Sequence, residues 1–204
     1  LPARNPYLEG EFIAGRMARA LADCEDYDAY MANMVRIARE SPAMKMLVLS
    51  YEQTVLEIGV EKFLEFCVAN DFRDVILVGL TSDEVKNRLI AGGVRVSCYV
   101  QFQLDPAEIE SAKQSNGFVY LQAKAGPEQV NPAFPTLADC VAELRRQGIE
   151  RPIYCGVGVA TPEDFAMVER AGADGAFVGS TILKLAEQPE ELQRTIRAFK
   201  GVGV

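Results

Sequence analysis

Two glycine-rich turns hold the residues of this chain best placed to bind a charged group. The first is Tyr154-Cys155-Gly156-Val157-Gly158-Val159-Ala160-Thr161-Pro162, where an apolar run ends in Gly-x-Gly and a helix opens at Thr161-Pro162. Glycine lets the backbone approach a ligand closely, and the N–H groups at a helix start favour an anion. Alone, the pattern is weak and favours a plain strand-to-helix turn. The second is Gly175-Ala176-Phe177-Val178-Gly179-Ser180, where an apolar run again ends in glycine, a short helix follows, and a further helix starts only at Pro189. Two such turns on successive strands, with a short extra helix after the second, are a recurrent phosphate cup of barrel proteins. Together they predict a phosphorylated small-molecule ligand.

Composition narrows the remaining chemistry. Histidine is absent, which removes Ser-His-Asp and Cys-His catalysis and the commonest metal ligand, so no metal site is expected. The five cysteines are scattered without CxxC spacing, and Cys67, Cys98 and Cys155 lie among apolar neighbours as small hydrophobes. This suits a reducing cytoplasm better than a disulfide framework. The net charge of −8 comes with no basic cluster, so nucleic acid and anionic membranes are poor partners. No apolar run approaches the roughly 20 residues that span a bilayer.

The elements that must position these turns follow from the hydrophobic pattern. Short continuous apolar runs at 46–50, 74–80, 94–101, 117–122, 152–157 and 175–179 read as strands buried on both faces of a parallel sheet. Helical patterns lie at 12–21, 26–39, 60–68, 83–91, 106–115, 136–147, 162–171, 181–187 and 189–199, with Phe63, Leu64 and Cys67 forming one stripe. Asp105-Pro106, Thr161-Pro162 and Gln188-Pro189 place proline at the first helical position, and Thr161 with Asp164 forms a capping-box-like pair. The segment 122–135 is long, polar and rich in Gly and Pro, as a lid or binding loop would be, or an ordinary surface excursion. No linker divides the chain, so a single domain over 1–204 is expected.

Such alternation gives either an open doubly wound sheet or an α/β barrel of the (β/α)8 type. Six strands are visible, so a TIM barrel would lack its first βα unit and second strand and be incomplete at the N-terminus. The start at Leu1-Pro2, without methionine or signal peptide, favours that view.

In order and spacing the chain resembles the tryptophan synthase α subunit family nearly end to end. Leu1-Pro2-Ala3-Arg4-Asn5-Pro6-Tyr7-Leu8-Glu9-Gly10 resembles the family's I-P-F-S-D-P-L-A-D-G, and Tyr51 falls at its tyrosine after strand three. Gly59-Val60-Glu61-Lys62-Phe63 resembles G-V-x-x-F, and Gly117-Phe118-Val119-Tyr120 resembles G-F-x-Y. Cys155-Gly156-Val157-Gly158-Val159 resembles Q-G-F-G-I, and the segment from Gly175 to Ser180, with Ile182 and Lys184, resembles G-A-x-x-G-S-A-I-x-K.

The resemblance implies a lyase that splits indole-3-glycerol phosphate into indole and glyceraldehyde 3-phosphate, in tryptophan biosynthesis. It implies that Gly158, Val159, Gly179 and Ser180 offer donors to the substrate phosphate. Glu9 falls at the catalytic aspartate that holds the indole N–H, one methylene longer, and Tyr51 and Tyr120 fall at pocket positions. The family's second catalytic carboxylate would lie before Leu1. A pyridoxal-phosphate-dependent β subunit is the implied partner.

Departures from the family pattern cluster in the loops. Its D-x-P after strand four is Gly79-Leu80-Thr81, and its P-T/P-P after strand five is Gln101-Phe102. The lid's G-V-T-G is Gly126-Pro127-Glu128-Gln129, where Glu128 adds negative charge, and the aspartate of S-D-P is Asn5. These changes leave two other readings open: a drifted paralogue that binds a phosphorylated metabolite or partner subunit without chemistry, and another phosphate-using barrel enzyme.

Overall fold

A computed structural model of the chain describes residues 1–24 and 26–201. Its contacts divide the chain into two compact units, one of Leu1–Cys98 with Ser115–Gly117, the other of Tyr99–Gln114 with Phe118 onward.

The first unit begins with a loop and two helices, α1 (Glu11–Asp23) and α2 (Tyr27–Glu40). Then come β1 (Val48–Tyr51), α3 (Glu52–Ile58), α4 (Val60–Ala69), β2 (Asp74–Val78), α5 (Glu84–Ala91) and β3 (Arg95–Val100), whose last two residues belong to the other unit. β1 pairs in parallel with β2, Val48 opposite Val75, and β2 with β3, Val75 opposite Val96. These valines are buried together with the α4 stripe Phe63, Leu64 and Cys67 and with Leu89 of α5. Continuous β-branched runs therefore form strands covered by helices, as the pattern predicts.

The helix α3 is the element the sequence pattern does not reveal. It follows β1 without a loop, Tyr51 is its N-cap without a side-chain cap bond, and it ends at Gly59, where φ is +95° and α4 starts. Seven residues between a strand and another helix are too few for a 3.6-residue period to stand out.

The second unit continues with α6 (Pro106–Lys113), β4 (Val119–Gln122), a 3-10 turn (Pro127–Gln129), α7 (Leu137–Arg146), β5 (Ile153–Gly156), α8 (Pro162–Arg170), β6 (Gly175–Ala176), α9 (Ser180–Lys184) and α10 (Pro189–Gly201). β4 pairs in parallel with β5, and β5 with β6. Val119, Leu121, Leu144, Ile153, Cys155 and Val168 are buried here. Capping fixes the helix starts. The Asp105 carboxylate accepts the Ala107 N–H at 2.8 Å, and Thr136 with Asp139 and Thr161 with Asp164 form full capping boxes. β6 has only two residues, shorter than the apolar run from Gly175 to Gly179 suggests, because the chain leaves the ladder towards α9. None of the described helices is long and apolar enough to cross a membrane.

Candidate active site

In the first unit the candidate residues gather at the ends of β1 and β2. Tyr51, the last residue of β1, is 1% exposed, and its hydroxyl accepts the Leu8 N–H at 3.2 Å. That bond ties the N-terminal loop to the strand. The loop is shaped by turns from Tyr7 N–H to Asn5 C=O and from Glu9 N–H to Pro6 C=O, both 3.0 Å. Tyr27 of α2 anchors its start, donating to the Pro2 carbonyl at 3.1 Å, with the Arg4 guanidinium 5.7 Å over its ring. Tyr7 stands edge-on to Tyr51, ring centroids 5.6 Å apart.

Glu9 is held half-buried by this loop, and burial pushes its carboxyl pKa above the ordinary carboxylate value. Burial first, and the Glu9 charge second, raise the Tyr51 phenol to about 12 against the opposing Leu8 N–H. The result is a phenol that stays neutral beside a carboxyl poised closer to neutral pH, an arrangement suited to moving a proton.

The β2–α5 loop completes this region. Gly79 adopts φ +66°, and a Cβ there would lie 2.5 Å from the Tyr7 hydroxyl and 3.3 Å from the Tyr51 ring. Glu52, 1% exposed at the start of α3, accepts the Thr81 N–H at 2.6 Å and its hydroxyl at 2.5 Å through Oε2. Oε1 of Glu52 is buried with no partner among the described residues. The two Thr81 donors offset part of that desolvation and fasten the loop to α3.

The phosphate-ready turns lie together in the second unit. The chain leaves β5 with Val157 at φ +55° and Gly158 at φ +102°, and the Val159 side chain is buried. The Thr181 hydroxyl donates to the Ala160 carbonyl at 3.1 Å, bringing the start of α9, with Gly179 and Ser180, beside the first turn. Gly179 and Ser180 themselves are partly or fully open to solvent. The Lys124 N–H donates to the Val157 carbonyl at 3.2 Å, and its ammonium pairs with Asp164. Asp164 uses its other oxygen to accept the Ala160 and Thr161 N–H groups at 2.9 and 3.1 Å. Burial alone would raise its pKa, but Lys124 and these two N–H groups outweigh it and hold the carboxyl low. The turn thus combines positive-φ backbone with a helix start, whose Ala160 and Thr161 N–H groups and neighbouring Lys124 ammonium are engaged by Asp164.

Tyr120 of β4 lies in an aromatic cluster, its ring centroid 5.4 Å from Tyr99 and 5.3 Å from Phe177. A Cβ on Gly156 would meet its ring and hydroxyl at 2.3 Å. Both residues are buried, so neither can yield easily. Gly156→Ala is expected to cost about 2–3 kcal/mol through overpacking, read as a lower urea midpoint at unchanged slope.

A family model described as tryptophan synthase alpha chain matches residues 1–201. The chain belongs to the tryptophan synthase alpha chain family. It is 30% identical over 206 residues to the tryptophan synthase alpha chain of Geobacter sulfurreducens, covering 98% of this chain and 77% of that protein. With that of Synechocystis it shares 28% over 205 residues, with the same coverage. A mutant tryptophan synthase alpha-subunit from the hyperthermophile Pyrococcus furiosus superposes with a TM-score of 0.81 at 21% identity, over 98% of this chain and 84% of that one. The fold is accordingly the α/β barrel class of tryptophan synthase alpha subunits, not an open doubly wound sheet.

Against the tryptophan synthase alpha pattern, each altered loop has a local replacement. Gly79 makes room for the Tyr7 hydroxyl, and Thr81 holds Glu52. Gln101 is gripped twice by Glu108, through its N–H at 2.8 Å and its side-chain amide at 2.7 Å. The Phe102 N–H donates to Gln122 at 3.0 Å. The lid segment is tied locally: the Gly126 N–H reaches the Gln129 side chain at 3.2 Å, and the Asn131 amide donates to the Gln103 carbonyl at 2.7 Å. Glu128 is exposed, so its charge is free to point to solvent. Lys124, Glu52 and Tyr7 are the residues that sequence reasoning passed over. Lys124 alone left a signal, as a cation two residues past β4 at the start of the lid.

Proposed function

We propose that this chain is a lyase of the tryptophan synthase alpha type, cleaving indole-3-glycerol phosphate to indole and glyceraldehyde 3-phosphate. The observation that carries it is the family match over residues 1–201. In this reading Gly158, Val159, Gly179 and Ser180 offer N–H or hydroxyl donors to the phosphate. Glu9 accepts a hydrogen bond from the indole N–H as a second carboxyl, which this reading requires besides Glu9, donates a proton to the ring carbon bearing the glycerol chain. The carbon–carbon bond then breaks, its electrons return to the indole ring, and the neighbouring glycerol hydroxyl gives its proton back to that carboxylate as it becomes the aldehyde. The buried, neutral Tyr51 orients the ring and holds the Glu9 loop, and Tyr120 shapes the pocket wall. The segment with Gly126 and Glu128 serves as the lid. No step calls for a metal or a cofactor, since proton transfer and electrostatic anchoring suffice.

The partner we assign is a pyridoxal-phosphate-dependent β subunit, and the compartment a reducing cytoplasm, in keeping with cysteines that form no disulfide among the described residues. The altered Gly79 and Thr81 loop favours a second reading, a paralogue that binds the phosphate ester without cleaving it. Incubation with indole-3-glycerol phosphate decides between them. Indole release supports the lyase; saturable binding without indole supports the paralogue.

A further inference from the structure

The N-terminal loop leaves a large aromatic side chain in the open beside the candidate acid–base residue. Tyr7 is 62% exposed, yet its ring is held edge-on against the buried Tyr51 ring, and its hydroxyl hangs over the backbone of Gly79. The loop after β2 gives way to it. Asparagine and aspartate also adopt the left-handed φ of +66° seen at Gly79, so backbone conformation alone does not require glycine there. A Cβ at this position would come within 2.5 Å of the phenol oxygen and 3.3 Å of the buried Tyr51 ring, so a side chain here displaces the Tyr7 hydroxyl. Among the described residues no protein group hydrogen-bonds the Tyr7 hydroxyl, which faces solvent. It is open to an incoming ligand two residues before Glu9, while Tyr51 beneath it already accepts the Leu8 N–H.

We propose that Tyr7 is a specificity-determining residue whose hydroxyl hydrogen-bonds the substrate beside Glu9, with Gly79 providing the cleared space that lets it stand there. The assignment rests on the lyase reading for the identity of the substrate. Since the lyase reading sets Glu9 at the indole N–H, the group met by Tyr7, two residues before it, is the indole N–H or a neighbouring glycerol hydroxyl. Because the bond forms on binding and does not depend on charge developing later, its loss raises KM more than it lowers kcat.

The test is a cycle of Tyr7→Phe, Gly79→Asn and the double variant, assayed with indole-3-glycerol phosphate, with melting temperatures recorded for each. Tyr7→Phe keeps the ring and removes one hydrogen bond, so KM rises about 5- to 10-fold with a smaller change in kcat. Gly79→Asn drives the hydroxyl out of its place and raises KM to a similar extent. In the Tyr7→Phe background it adds little, since the bond is already gone. An unchanged KM in Tyr7→Phe, or fully additive effects in the double variant, overturns the proposal. If the parent binds the ester but releases no indole, the lyase reading falls alone, and the same cycle is read in Kd by calorimetry. A parent that does not bind the ester at all overturns both.

Discussion

Glu9→Gln is expected to lower indole release by about 10³-fold while leaving the protein at least as stable as its parent near neutral pH. The first half follows from the role of the carboxylate, which an amide mimics in shape but not in basicity. The second follows from the direction of its titration. Burial raises the Glu9 pKa above 4.5, so the folded state binds this proton more tightly than the unfolded chain does. Its contribution to stability is therefore fully present below the unfolded pKa and is lost as pH rises through the folded one. At neutral pH the parent carries a desolvated charge that the glutamine variant does not. The pH profile carries the same signature. If Glu9 works ionised, the parent rate falls on acidification through a pKa above the ordinary carboxylate value, and the residual rate of the variant lacks that limb. A parallel loss of stability and activity in Glu9→Gln would mean instead that the carboxylate is structural.

Gly179→Asp is expected to weaken binding of the phosphate ester by about 10²-fold or more with little change in stability. Nothing lies within 4 Å of a Cβ built at Gly179, and its φ of −99° suits any residue, so the side chain enters without strain. What it adds is a negative charge where a dianion is to bind. Two like charges about 4 Å apart interact unfavourably by about 4 kcal/mol at a surface-like dielectric, enough to remove most of the affinity. Gly179→Ala is the control, and inorganic phosphate as a competitor reads the same site. Should alanine and aspartate behave alike in calorimetry, the phosphate does not sit at this turn. Gly158 gives no comparable test, because its φ of +102° and the Lys124 Cβ at 2.7 Å would confound charge with strain.

What could be read directly from the sequence was whatever neighbours in the chain decide among themselves. Thr161, Pro162 and Asp164 announce the start of α8 because cap, first helical position and reciprocal acceptor lie within four residues of one another. The Phe63, Leu64 and Cys67 stripe and the β-branched core of β2 follow likewise from periodicity. The helix α3 escaped because its N-cap is a tyrosine and its length is under two full helical turns of pattern. At the site, the glycines were legible as turns, but their reasons were not. Gly79 answers to Tyr7, Gly156 to Tyr120 and Gly158 to Lys124, each a neighbour only in space. Lys124 meets Asp164 forty positions away, and Glu52 meets Thr81 across twenty-nine. Such pairs are set by how strands align, which no local spacing encodes.

The distribution of thiols gives the folded chain a built-in reporter. Cys67, Cys98, Cys140 and Cys155 are buried, and burial lifts Cys67 and Cys155 to about 12 and Cys140 to about 11, far from the thiolate that alkylating reagents attack. Cys24 is partly accessible, its Sγ 3.4 Å from the Asp26 carbonyl. A brief exposure to iodoacetamide therefore marks native molecules at one position and opened molecules at five, and the mass ladder of a sample weighs the two populations without any knowledge of the reaction the protein performs.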